Sequence, residues 1–110
     1  MLTVSEMISH TGYAKLNKKE TPDREIKGVY CCDLLSVAMG GAPADSAWVT
    51  VMGNINAVAV SALADTACVV VADGAAVEER ALQKADEQGV ILLSSKQPVF
   101  ETAKLIDSLL

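Results

Sequence analysis

Few side chains in this sequence could do covalent or acid–base chemistry. His10 is the only histidine, and the cysteines are Cys31, Cys32 and Cys68. Hydrolysis by a serine or cysteine nucleophile needs a base and an orienting carboxylate beside it. A single histidine near the end of a short amino-terminal helix does not supply that set. Metal or iron–sulfur binding needs spaced cysteines and histidines or clustered carboxylates, and these four residues lack such spacing. A phosphate-cradling loop would be glycine-rich and end in Gly-Lys-Ser/Thr, and no such string occurs. No catalytic residue, metal or cofactor is expected, which points away from an enzyme. The one thiol with a chemical argument is Cys32. It is expected at a strand end just before a helix, where the helix dipole favours a thiolate, although Asp33 opposes that charge. A small cysteine-dependent enzyme or redox sensor using Cys32 is therefore the alternative reading.

A second group is defined by expected position. Asp33, Asn54, Asn56, Asp73, Gly74, Ser94 and Ser95 each fall where a strand should give way to a helix. Open α/β sheets bind ligands on that rim, and helix N-termini there offer unpaired N–H groups. Each residue also serves as a cap or turn former. With two aspartates and no Lys or Arg expected nearby, a neutral or adenosine-like ligand fits the rim better than a polyphosphate.

The elements that must position these residues follow from periodicity. Thr3 and Glu6 have the spacing of a capping box, so Val4 to Ser9 should form a short helix ending near Gly12, with Leu2, Met7 and Ile8 inward. Tyr13 to Leu16 reads as a short strand. Asn17 to Asp23, polar and containing Pro22, reads as a loop. Ile26 to Cys32 reads as one strand, and Asp33 as the N-cap of a helix from Leu34 to Met39 that Gly40-Gly41 and Pro43 terminate. Ala47 to Met52 is a strand, and Asn54 opens a helix to about Ala64. Cys68 to Ala72 has the nearly all-apolar character of a central strand covered on both faces, and Asp73-Gly74 turns it towards a helix from Val77 to Gln88, with Val77, Ala81 and Ala85 on one side. Gly89 stops that helix. Val90 to Leu93 is the next strand, Ser94 and Ser95 are cap candidates, and Val99, Ala103, Ile106 and Leu110 stand at helical spacing. Alternating strands and helices imply an α/β fold, a three-layer sandwich around a small, mostly parallel sheet.

Composition bounds the rest. The chain has 110 residues, 51% hydrophobic and 21% charged, with a formal net charge of −5. That suits one domain over residues 1–110, large enough to hold a single core without staples. The acidic balance disfavours nucleic acid as a partner. The opening MLTVSEMISH lacks the basic and apolar segments of a secretory signal, so the expected location is cytoplasmic. Neighbouring Cys31 and Cys32 would point to opposite faces of a strand, and all three cysteines read as free thiols. Ser46 to Ala64 carries no charge, but Gly53, Asn54 and Asn56 interrupt it, so it reads as a buried strand and helix and not as a membrane span. The helix from Asn54 to Ala64 has almost no polar face, so another element or a second copy must cover it. A homodimer is expected on that ground.

The string Asp23-Arg24-Glu25-Ile26-Lys27-Gly28-Val29-Tyr30, continued by Asp33-Leu34-Leu35-Ser36, resembles the DRTGG domain family. The chain is more distantly similar to the N-terminal domain of HPr kinase/phosphorylase. The resemblance takes in the helical start, the Thr50 strand leading to Asn56 and an apolar helix, and the turn at Asp73-Gly74. It departs at three places. There is no literal Asp-Arg-Thr-Gly-Gly string, Asp73-Gly74 stands where relatives often show a glycine pair, and Asn54 replaces a histidine two residues before the matched Asn56. The resemblance implies the α/β fold of the HPr kinase N-terminal domain and a regulatory or protein-interaction module more than an enzyme. Family modules occur attached to kinases, acetyltransferases or nucleotide-sensing pyrophosphatases, and free-standing ones beside iron-hydrogenase components. It thus implies a protein partner in a kinase or redox (hydrogenase) setting, and an adenine nucleotide or metabolite as possible ligand.

Overall fold

A computed structural model describes residues 1–110. The chain runs β1 (Leu2–Thr3), α1 (Val4–Thr11), β2 (Ala14–Lys15), β3 (Glu25–Ile26), β4 (Gly28–Cys31), α2 (Leu35–Gly41), β5 (Ser46–Thr50), α3 (Ile55–Ala64), β6 (Cys68–Val71), α4 (Glu79–Gln88), β7 (Leu92–Ser94) and α5 (Val99–Ser108). The main sheet has the order β2-β7-β6-β5-β4, parallel except for β2, which runs antiparallel to β7. Its period-two alternation sorts two cores onto its two faces. Ala47, Val49, Cys68, Val70 and Leu93 pack with Met7 of α1 and Ile106 of α5. Trp48, Val69, Val71 and Leu92 pack with Ala38 of α2, Val58 of α3 and Ala81 and Ala85 of α4. The layers are α1 and α5, the sheet, then α2, α3 and α4.

The all-apolar β6 is the central strand and is wholly buried, as its sequence requires. Trp48 is buried beside it, and its indole Nε1 donates to the Cys32 carbonyl at 3.0 Å. That bond satisfies the one polar atom of the largest core side chain. The capping box forms as the spacing requires. Thr3 Oγ1 accepts from Glu6 N–H, and Glu6 Oε1 accepts from Thr3 N–H.

Several expectations change. The segment Ile26 to Cys32 is not one strand. β3 pairs antiparallel with β1 in a separate two-stranded ribbon, where Ile26 opposes Leu2, and the chain enters the main sheet only at Gly28. Both Leu2 and Ile26 are buried, so the ribbon is held by core burial that local pattern does not reveal. Asp33 is not the cap of α2: Leu34 holds that position and no side chain caps it. Helix α4 starts at Glu79, not Val77, because the residues before it lie against the loop after β5. Ser94 ends β7, and α5 begins after Pro98, so neither serine caps it. Helix α3 is covered by this chain's own α2 and α4. Ala57, Val58, Val60 and Ser61 are buried, while Leu63 is 75% exposed. The apolar character of α3 therefore does not itself call for a second copy.

No helix is long and apolar enough to cross a membrane.

Candidate functional site

Because β4 to β7 are parallel, the four helices that follow them all begin on one rim of the sheet. The loops there are joined largely by hydrogen bonds to main-chain groups. Asp33, just past β4, accepts through Oδ1 from Thr50 Oγ1 at 2.7 Å and from Val51 N–H at 2.9 Å. Thr50 is fully buried at the end of β5, so Asp33 satisfies a hydroxyl that water cannot reach. It holds two strand ends together instead of starting a helix.

Asn54 does cap α3, its Oδ1 accepting from Ala57 N–H at 2.9 Å. Asn56 is exposed on the first turn of the same helix. Gly53 before them is a close-approach glycine: a Cβ there would lie 2.2 Å from the Ala76 carbonyl. Its own carbonyl accepts from Glu78 N–H at 2.8 Å. The loop after β5 is thus pressed against the loop after β6.

Asp73 and Gly74 both have φ of +62°, and Ala75 N–H donates back to the Ala72 carbonyl at 3.1 Å. Two left-handed central residues closing such a bond make a type I′ turn, which the Asp-Gly pair favours. Asp73 N–H donates to the Gln97 carbonyl at 2.7 Å and Gly74 N–H to the Ser95 carbonyl at 3.0 Å. Ser95 is buried; its hydroxyl accepts from Gln97 N–H and bonds Thr102 Oγ1 at 2.8 Å.

The structure therefore brings Asp73 and Gly74 against Ser95 through main-chain bonds, and Asp33 against Thr50. It does not gather the seven residues into one pocket. Strands about 4.8 Å apart put roughly 14 Å between the ends of β4 and β7, so a small ligand touching Asp33 cannot also touch Ser94. Asp33, Asn54, Asn56, Asp73 and Gly74 line no cavity, whereas Ser94 and Ser95 border a cleft of about 390 Å³. Tyr13, Lys96, Gln97 and Leu105 line the same cleft. Tyr13 Oη donates to Gln97 Oε1 at 2.8 Å across it. Sequence reasoning missed Tyr13, Lys96 and Gln97, because they converge only once β2 has returned beside β7. Lys96 also corrects the expectation that no basic residue stands near the rim.

The three thiols differ in burial: Cys31 is exposed and Cys68 buried. Cys32 is half-buried and its Sγ donates to the Leu34 carbonyl at 3.4 Å. Burial, with the Asp33 charge, holds the Cys31 thiol above its ordinary value. Burial pushes Cys68 up to about 12.

The other end of the sheet carries the charge. Arg24 reaches Asp45 Oδ1 at 2.8 Å with Nη2 and Asp65 Oδ1 at 3.2 Å with Nη1, and Nη2 also donates to the Asp65 carbonyl. Asp45 and Asp65, at φ of +62° and +59°, sit just before β5 and just after α3. The hydrogen bond from Arg24 holds the Asp45 carboxyl below its ordinary value, with Lys27 adding to the effect. Asp23 is also lowered: its partial burial works upward, but hydrogen bonds from Ser5 and from Arg24 N–H outweigh it.

The DRTGG domain family profile matches residues 6–109. Among solved structures, the fold resembles the crystal structure of the CBS and DRTGG domains of the regulatory region of Clostridium perfringens pyrophosphatase, which is complexed with its activator, diadenosine tetraphosphate. The TM-score is 0.69 at 9% identity, over 94% of this chain and 45% of that one, so this chain spans less than half of that region. No curated protein sequence matches.

Proposed function

The chain belongs to the DRTGG domain family, and from that premise we propose that it is a non-catalytic regulatory and protein-interaction module. In this reading it works as a homodimer and senses an adenosine-like ligand at the rim where its parallel strands end. The observation that carries the reading is the extent of the family match, which takes in all four parallel strands and the helices that follow them. The same fold in a pyrophosphatase regulatory region, crystallised with a dinucleotide activator, supports the regulatory role and the ligand class. On the rim, the exposed Asn56 amide offers a donor and an acceptor side by side, the pattern that pairs with the N6/N7 edge of adenine. Asp33 and Asp73 favour the nucleoside end of such a ligand over its phosphates, and Lys96 is the cation available to a phosphate near β7. The homodimer is supported by exposed apolar side chains on two helices: Val37 and Met39 of α2 are about half exposed, and Phe100 of α5, which lines a cleft with Val29 and Cys31 of β4, is 68% exposed. The protein partner is the enzyme or redox complex that the module regulates.

The test is a thermal-shift and calorimetric titration with diadenosine tetraphosphate, ATP and AMP. Ligand at a hundredfold excess over Kd adds about 2.7 kcal/mol to stability, a rise in midpoint on the order of 10 °C for a domain of this size. Asn56→Ala should abolish the rise without lowering the unliganded midpoint. No rise with any of the three nucleotides would sink the sensing function and leave protein docking.

A further inference from the structure

Strand β4 forms one edge of the main sheet, with β5 as its only neighbour. In a parallel ladder alternate residues bond to the neighbour. Cys32 N–H donates to the Val49 carbonyl across this seam, so the N–H and C=O groups of Val29 and Cys31 are on the outer side. Sheet edges are ordinarily protected by lysine, proline or a bulge. Gly28-Val29-Tyr30-Cys31 has neither lysine nor proline, and Cys31 is exposed. Along this edge, Val29, Cys31, Phe100, Ala103, Lys104 and Asp107 line an open cleft of about 350 Å³.

We propose that β4 is a self-pairing edge: a second copy of this chain adds its own β4, antiparallel, across a two-fold axis at Tyr30. The two sheets become one. This rests on the homodimer reading above and names the surface that makes it. Charge selects both the occupant and the register. Lys27 and Asp33 flank the strand at equal distances from Tyr30. Pairing centred on Tyr30 sets Lys27 opposite the partner's Asp33 at both ends of the seam. It also sets Val29 opposite the partner's Cys31, the two residues whose backbone groups point outward, so they form the hydrogen-bonded pair that an antiparallel ladder requires. Shifting the centre to Val29 sets Asp33 against the partner's Glu25, and shifting it to Cys31 sets Asp33 against the partner's Val29. Neither alternative pairs opposite charges.

Both charged groups are free to take part. Asp33 bonds Thr50 and Val51 through Oδ1 alone. Lys27 Nζ lies 3.6 Å from Asp45 Oδ2 with its side chain 62% exposed, a solvated pair that can be shared. The partner's Val29 and Cys31 side chains then fill the cleft beside Phe100.

The test combines analytical ultracentrifugation with amide hydrogen exchange on the wild type, Cys31→Lys and Val29→Pro. Cys31→Lys places a charge on an exposed edge position, and Val29→Pro deletes an N–H that the chain's own ladder does not use. The wild type should sediment at twice the chain mass with the Val29 and Cys31 amides protected. Each variant should fall to the single-chain mass, and Cys31→Lys should lose the Val29 protection while keeping that of α3, which shows that it is folded. A dimer that survives Cys31→Lys, or one with freely exchanging Val29 and Cys31 amides, overturns this interface and leaves the homodimer standing. A wild type that stays at the single-chain mass across the concentration range overturns both.

Discussion

At the end where the parallel strands begin, the sheet is held by charge: Arg24 clamps Asp45 and Asp65, and Lys27 lies beside Asp45. At the end where they finish, it is held by main-chain bonds, a close-packed glycine and one aspartate on a buried hydroxyl. The difference separates scaffold from surface. The Asp-Arg pair that carries the family resemblance is structural here, since Asp23 holds the Ser5 N–H at the start of α1 and Arg24 joins two loops. None of these supports draws on the exposed side chains of Asn56 and Lys96, which leaves both available for contacts outside the fold.

The comparison can be broken most severely at Gly53. Gly53→Ala forces a methyl into the Ala76 carbonyl and should cost about 3 kcal/mol in a denaturant titration, with no dependence on salt. Thr50→Val should cost about 1–2 kcal/mol, since it strips the hydroxyl that Asp33 and Met52 N–H use. Arg24→Ala should cost about 1 kcal/mol once solvent screening is allowed for, and unlike Gly53→Ala its cost should shrink as salt rises. A loss of stability in Arg24→Ala that is indifferent to salt would mean that packing, not charge, holds the lower end. Asp45 and Asp23 have folded values below the ordinary carboxylate value of 3.8, so their contribution is whole above that pH and is lost as pH falls through the folded values. Arg24→Ala should flatten the Asp45 share of that acid decline, which a pH series of melting curves would resolve. The smallest effect is expected at the rim surface: Asn56→Ala should stay within about 0.5 kcal/mol of the wild type without ligand.

Where elements depend on neighbours a few residues away, the sequence was legible. The Thr3–Glu6 box, the Asn54 cap, the Asp73-Gly74 turn and the buried run of β6 are all local, and all appear as their spacing implies. Expectations failed where partners are remote. Asp33 has the composition of a cap, but a buried hydroxyl 17 residues on competes for it and wins. Ile26 reads as the start of a strand that runs to Cys32, yet it pairs with Leu2 outside the main sheet. The Arg24 clamp closes over 21 and 41 residues, a separation at which a single sequence shows only scattered acids. The cleft beside Tyr13 was invisible for the same reason, since Tyr13 and Gln97 stand 84 residues apart.

The far edge of the sheet is β2, two residues long, antiparallel to β7 and ending in the exposed Lys15, whose ammonium bonds Thr21 in the loop beyond. A strand this short with a cation on it is a poor template for another chain. Growth by edge addition needs two adhesive ends, and this molecule offers one. Pairing through β4 is thus self-terminating: once two copies have met, only blunt ends remain, and the same contact that joins the sheets caps the assembly at a closed pair instead of seeding a fibre.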